Sequence, residues 1–210
     1  MSKLNTYRFE IFFGTLLLQL LYPFIALLFL MPKHSMQLVS FSLLVFASFN
    51  LAMKRLPKLL TILFGTISVV GLWCHYLFDD PVMLQFLIVY ASCFFYIVLV
   101  YILTQNFLVS KSINIKVVIG ALSGYLLIGL LGASTIEMMQ LHHAGSFNIT
   151  QGSNFDFTYF SFISMLTVGY GDIIPVSNSA KSLTILISLF GQFYMAVGIA
   201  SLVGKFMKKE

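Results

Sequence analysis

Charge is what this chain has least of. Of its 210 residues only 9% are Asp, Glu, Lys or Arg, against 59% hydrophobic residues and 22 phenylalanines. A soluble domain of this size cannot cover that much apolar surface, so the composition excludes water-soluble classes and leaves a polytopic membrane protein. Cysteine is almost absent as well, with only Cys74 and Cys93. They sit in different apolar runs, and at about 1.5 Å per residue their depths differ by roughly 10 Å, too far for a disulfide. No Cys/His spacing suits a structural zinc site. No nucleophile–base pair or metal constellation stands in the apolar runs, so neither an enzyme nor a cofactor is expected.

Basic residues are missing from one stretch in particular. Between Pro81 and Ser110 there is no Arg and no Lys; the polar residues are Gln85, Ser92, Thr104, Gln105 and Asn106. A helix that senses voltage needs repeated basic residues, because each charge crossing the field contributes only about 2.3 kcal/mol per 100 mV. That mechanism is excluded here.

What the chain does have is apolar runs of spanning length, near 20 residues. Six are expected: 8–31, 36–53, 58–78, 82–109, 116–141 and 179–206. The second is thinned by Ser40, Ser42, Ser48 and Asn50, and Pro23 in the first implies a kink. The first run is too long, and lacks the small-residue cleavage site, for a removable signal peptide. Orientation follows from basic residues near span ends. With the N-terminus in the cytoplasm, Lys3, Arg8, Lys54, Arg55, Lys58, Lys111, Lys116, Lys205, Lys208 and Lys209 all lie inside, and only Lys33 and Lys181 outside. A multi-pass protein of the plasma or bacterial inner membrane with both termini cytoplasmic is expected. Its net charge of +5 then reports topology and contact with anionic lipid heads rather than nucleic acid. With a short arm before the first run and a short tail after the last, no regulatory domain is expected.

Two turn-rich segments flank a short aromatic one. Residues 142–154 read as an exposed loop, in which Asn148-Ile149-Thr150 spells a glycosylation sequon and His142–His143 stand together. Residues 155–166 are too short to span; they suit a re-entrant helix about 18 Å long, with Asp156 near its N-terminus. Next comes Thr167-Val168-Gly169-Tyr170-Gly171-Asp172. Gly169 and Gly171 tolerate φ > 0, and such a loop can turn its backbone carbonyls toward an axis to replace the water around a desolvated cation.

This hexapeptide resembles the selectivity filter of potassium channels, and the chain resembles a prokaryotic-type tetrameric potassium channel, most closely over roughly residues 116–207. The resemblance implies an all-α membrane protein of six transmembrane helices with a re-entrant pore helix and filter loop, assembling as a homotetramer. It implies two domains: 1–110, a four-helix region like a voltage-sensor domain without basic gating residues, and 111–210, a pore domain. The latter would comprise an outer helix 116–141, a pore helix 155–166, a filter 167–171 and an inner helix 179–206. The carbonyls of Thr167, Val168, Gly169 and Tyr170, with the Thr167 hydroxyl, would hold permeant K+, and Tyr170 would brace the loop. Asp172, Tyr159 and Phe160 would support the mouth.

Leu166 stands where relatives often have Thr, and Ile163 where some have a Glu behind the filter, so no such Glu–Asp172 link exists here. In the last helix Gly191 or Gly198 would act as a hinge, although close packing accounts for Gly191 equally well. Gln192, Met195, Ile199 and Val203 would line the cavity. Gly120 and Gly124 in the fifth run, followed by Gly129 and Gly132, form a small-residue series suited to a tight seam between outer and inner helices, or to ordinary membrane-helix composition. The function expected is passive, potassium-selective conduction with weak voltage dependence. The alternatives are a potassium-transporter subunit, which needs four pore units per chain, and a non-conducting sensor or regulatory subunit.

Overall fold

The computed structural model describes residues 7–51, 54–78, 82–110, 114–149 and 154–207. Seven helices form among them: α1 (Arg8–Leu28), α2 (Lys33–Ser48), α3 (Arg55–Leu77), α4 (Val82–Val109), α5 (Ile115–His142), α6 (Asn154–Met165) and α7 (Asn178–Met207). They fall into two compact units. One holds α1–α4 and the start of α5 through Gly124, and the other runs from Tyr125 onward.

Within the first unit, α1 packs on α2, α2 on α3 and α3 on α4, as short connections favour. The α1–α2 turn is closed by a Schellman arrangement: Leu30 takes φ 52°, Met31 N–H bonds the Ala26 carbonyl at 2.9 Å, and Leu30 N–H bonds that of Leu27 at 3.4 Å. Pro32, unable to continue a helix, then caps α2. Pro23 lies inside α1 without ending it.

The buried face of α3 carries Thr61, Gly65, Ser68 and Gly71, a helical spacing of small residues. A Cβ at Gly65 would meet Val45 and Phe95, and one at Gly71 would meet Ile88, so both glycines set how closely α2 and α4 approach. A polar pair buried between α1 and α2 satisfies itself, with the Ser40 hydroxyl donating to Gln19 Oε1 at 2.7 Å. Phe41 stands edge-on to Phe95 and Tyr96. Neither Cys74 nor Cys93 is in a disulfide.

Among the described residues, five helices are long and apolar enough to cross a membrane: α1, α3, α4, α5 and Asn178–Gly204 of α7. The sixth expected span, 36–53, is instead the 16-residue α2, which begins and ends earlier. At about 1.5 Å per residue it reaches about 24 Å, short of a hydrocarbon core of about 30 Å. Its C-terminal end frays into a turn at Phe49–Leu51, where Asn50 interrupts the apolar run. Ala52 and Met53 lie outside the described residues.

In the second unit α6 packs on α7, around a core that includes Ile136, Phe147, Phe160, Ile163, Met165 and Ile187. The glycines that bring α5 against α6 are Gly129, whose Cβ would overlap the Phe162 ring, and Gly132, whose Cβ would overlap the Ser161 hydroxyl and meet Ile187 of α7. The Ser161 hydroxyl donates to the Gly129 carbonyl at 2.7 Å in this contact. The seam expected between outer and inner helices is thus chiefly a seat for the short helix, while Gly120 faces Phe9 at ordinary contact distance.

Candidate functional site

The site is built at the C-terminal end of α6. A helix leaves its last carbonyls without intrahelical partners, and here each receives a donor from the chain that follows or from α7. Leu166 N–H bonds Phe162 O at 2.8 Å and Thr167 N–H bonds Ser164 O at 3.1 Å. The N–H groups of Val168 and Gly169 converge on Ile163 O at 2.9 and 3.2 Å. From α7, the Ser188 hydroxyl donates to Ser164 O at 3.3 Å and the Gln192 amide to Met165 O at 2.9 Å. The helix end therefore fixes the loop by its N–H groups. Among the described residues, none of the hydrogen bonds reaching the loop ends on a carbonyl of Thr167, Val168, Gly169 or Tyr170.

Backbone angles explain how this separation is kept. Thr167, Gly169 and Gly171 take φ of 60°, 56° and 80°, whereas Val168 and Tyr170 between them do not enter the positive region. Residues alternating between left- and right-handed φ place successive N–H groups on one side, which leaves their carbonyls to the other. Glycine adopts such angles freely, but Thr167 is β-branched and holds its angle at a cost on the order of 1–3 kcal/mol. Every residue from Leu166 to Asp172 is exposed, Tyr170 at 73%. The Tyr170 ring, expected to brace the loop, receives little cover from the described residues of its own chain.

The outer end of the loop is tied on two sides. The Tyr159 hydroxyl donates to the Asp172 carboxylate, a bond that holds this carboxyl below its ordinary value of 3.8 and pushes the phenol up. Phe160, by contrast, is buried and packs edge-on against Phe147 with ring centroids 5.3 Å apart. The second tie comes from the segment expected to be an exposed loop. Ser146 and Phe147 are buried, and Phe147 pairs with Pro175 in an antiparallel bridge. Asn148 Nδ2 donates to Asp172 O at 3.0 Å while its Oδ1 accepts from Ile174 N–H at 2.7 Å. The nitrogen that a glycan would occupy is therefore engaged. The alternation of apolar Phe147 and Ile149 about Asn148 was the one signal in the sequence for this short extended piece.

On α7, Gly191 is buried, and a Cβ there would overlap the Met165 side chain; Gly198 has nothing within 4 Å. The helix runs unbroken through both. Gln192 turns its amide to α6, and Met195, Ile199 and Val203 are exposed along the helix below it. Ser188, one turn before Gln192, and Gln140 of α5 join the site without having been singled out in the sequence.

Comparisons with known proteins fall on this half of the chain. A family model described as "Ion channel" matches residues 117–208. The chain is 44% identical over 50 residues to the Voltage-gated potassium channel Kch of Escherichia coli (strain K12), a stretch of 24% of this chain and 12% of that relative. It is 33% identical over 92 residues to Potassium channel K2 of Plasmodium falciparum (isolate 3D7), covering 41% of this chain and 6% of that one. The chain thus spans only a small part of the curated relatives it matches, and no solved structure matches it. With a re-entrant-length helix, a filter-like loop and a flanking helix on each side of them, segment 117–208 is similar to ion-channel domains, and its curated matches are potassium channels.

Proposed function

We propose that the chain is one subunit of a homotetrameric, multi-pass channel that conducts K+ passively and selectively, with both termini cytoplasmic. The observation that carries this reading is the run of carbonyls from Thr167 to Tyr170 that take no hydrogen bond among the described residues while the N–H groups of Thr167, Val168 and Gly169 are anchored on the α6 carbonyls. Backbone carbonyls at membrane depth need a partner, and irregular backbone is tolerated there only when it lines a polar cavity. Four copies around an axis would supply a ring of oxygens at each level, with the Thr167 hydroxyl at the inner end.

The exposed faces of the loop and of α7 support assembly. Phe190 and Phe193 are each about 60% exposed in a single chain. Such aromatic surface on the inner helix suits contact with neighbouring copies, and Met195, Ile199 and Val203 suit the cavity wall. Residues 1–110 would form a flanking domain without gating charge, completed to six spans if α2 reaches the interfaces with its flanking turns. The test is flux. Purified protein in liposomes should pass K+ far faster than Na+ under a K+ gradient, and equal permeation of both ions, or none, would overturn the reading.

A further inference from the structure

The segment after α5 is more than a connector. Gln140 on the last turns of α5 accepts from Phe147 N–H through Oε1 at 3.2 Å and donates through Nε2 to Ile149 O at 3.4 Å. In an extended chain the backbone groups of alternate residues point to opposite sides. With 147 and 149 facing Gln140, those of residue 148 face the other way, and Asn148 N–H indeed bonds Ile174 O at 3.2 Å. Its carboxamide then closes two more bonds on the same stretch, to Asp172 O and Ile174 N–H. One residue thus makes three hydrogen bonds to the three-residue exit of the filter, and a single α5 side chain holds that residue from behind. Ser146 continues the contact, its carbonyl accepting from Val176 N–H at 2.8 Å and Ser177 N–H at 3.3 Å.

We propose that Asn148 is a positioning residue for conduction: its carboxamide, held in register by Gln140, keeps residues 172–174 in the shape that leaves the filter open. The proposal rests on the filter reading above. Ile163 offers no polar group behind this part of the loop; Tyr159 ties the Asp172 carboxylate, while the hydrogen bonds to the Asp172 and Ile174 backbone come from Asn148 on the other side. A filter that loses the restraint keeps its carbonyl ligands, and with them its ion preference, but leaves the conducting shape more readily. Bound K+ counters that loss, because an ion that binds only the conducting shape stabilises it by mass action.

The experiment is single-channel recording of the full chain in planar bilayers at low and high external K+. For Asn148→Ala the expected result is conducting periods shortened about tenfold, the size two lost hydrogen bonds of ordinary net strength can produce. The K+/Na+ reversal potential should be unchanged, and raised external K+ should restore the duration. Asn148→Asp keeps the acceptor for Ile174 N–H but sets a carboxylate oxygen against Asp172 O, so it should be at least as short-lived as the alanine variant. Gln140→Ala leaves the carboxamide in place and should give a smaller shortening, not additive with Asn148→Ala.

Wild-type durations in Asn148→Ala, with selective K+ current intact, overturn the proposal. So does a shortening that external K+ does not relieve, which marks a purely structural defect. If Asn148→Ala fails to assemble, Gln140→Ala decides by the same two criteria. Absence of selective K+ current in the wild-type protein instead removes the filter reading itself.

Discussion

Thr167 and Gly171 show the two ways a left-handed backbone is obtained. At Gly171, φ is 80° and nothing lies within 4 Å of a Cβ position, so substitution acts through the backbone rather than through a clash. Gly171→Ala adds on the order of 1–2 kcal/mol of conformational cost per subunit, and bi-ionic reversal potentials should show K+ selectivity degraded or current lost. Asp172 leads to a second expectation. Because the Tyr159 hydroxyl bonds the ionised carboxylate, the carboxyl titrates below 3.8. A depressed pKa means the contribution is complete above the ordinary value and is lost only as pH falls through the lowered one. External acidification to pH 3.8 should therefore leave most of the Asp172 charge in place, and Tyr159→Phe should move the loss of current up toward 3.8. Conductance measured against external pH checks this, and coincident curves for the two proteins would contradict it.

Among the elements, α7 carries the clearest contrast. Gly191 and Gly198 are alike in sequence, but the first is pressed against Met165 and the second is open within its own chain. Gly191→Ala should destabilise the detergent-solubilised protein, by about 1–3 kcal/mol if the helices cannot separate and less if Met165 moves aside. Gly198→Ala should be neutral or gain up to about 1 kcal/mol from helix propensity. Thermal unfolding of the two variants separates these outcomes. If the inner helix bends during opening, Gly198 is the site that can do so without unpacking α6, and Gly198→Ala should then lower open probability while leaving melting unchanged. The ties from Ser188 and Gln192 to the α6 carbonyls fix the upper part of α7 to the filter support, which places any such bend below them.

For the molecule as a whole, one chain offers one filter-like loop, and under the proposed reading a closed ring of ligands requires four. Native mass spectrometry in detergent should find tetramers, and active monomers or dimers would contradict the proposed assembly. Voltage dependence belongs to this scale too. The name of the Escherichia coli relative includes voltage gating, but α4 contains neither Arg nor Lys. A conductance–voltage relation recorded in symmetric K+ should therefore be shallow, since a charge-free helix gains nothing from the field. A steep relation, equivalent to several charges per tetramer, would locate charge movement in the ions or the filter.

Composition alone determined a helical membrane protein, because so little charge cannot solubilise so much apolar surface. The hexapeptide and the apolar runs on either side of it pointed to the channel domain, since glycines at alternate positions are a local backbone requirement and local requirements are written in consecutive residues. Helix α6 was legible for the same reason, as an apolar segment too short to span. The length of α2 was not, because serines and Asn50 thin a run without marking where its hydrogen bonds stop. Only the tertiary structure decided which groups meet across distance: Gln192 with Met165 O, Tyr159 with Asp172, and Asn148 with residues 172–174. It also separated Gly191 from Gly198, since whether a glycine is a seat or an open position depends on what another element brings against it. An asparagine in a polar loop carries no sign of its partner 24 residues away; the packing of Phe147 against Phe160 and Pro175 is what delivers it there.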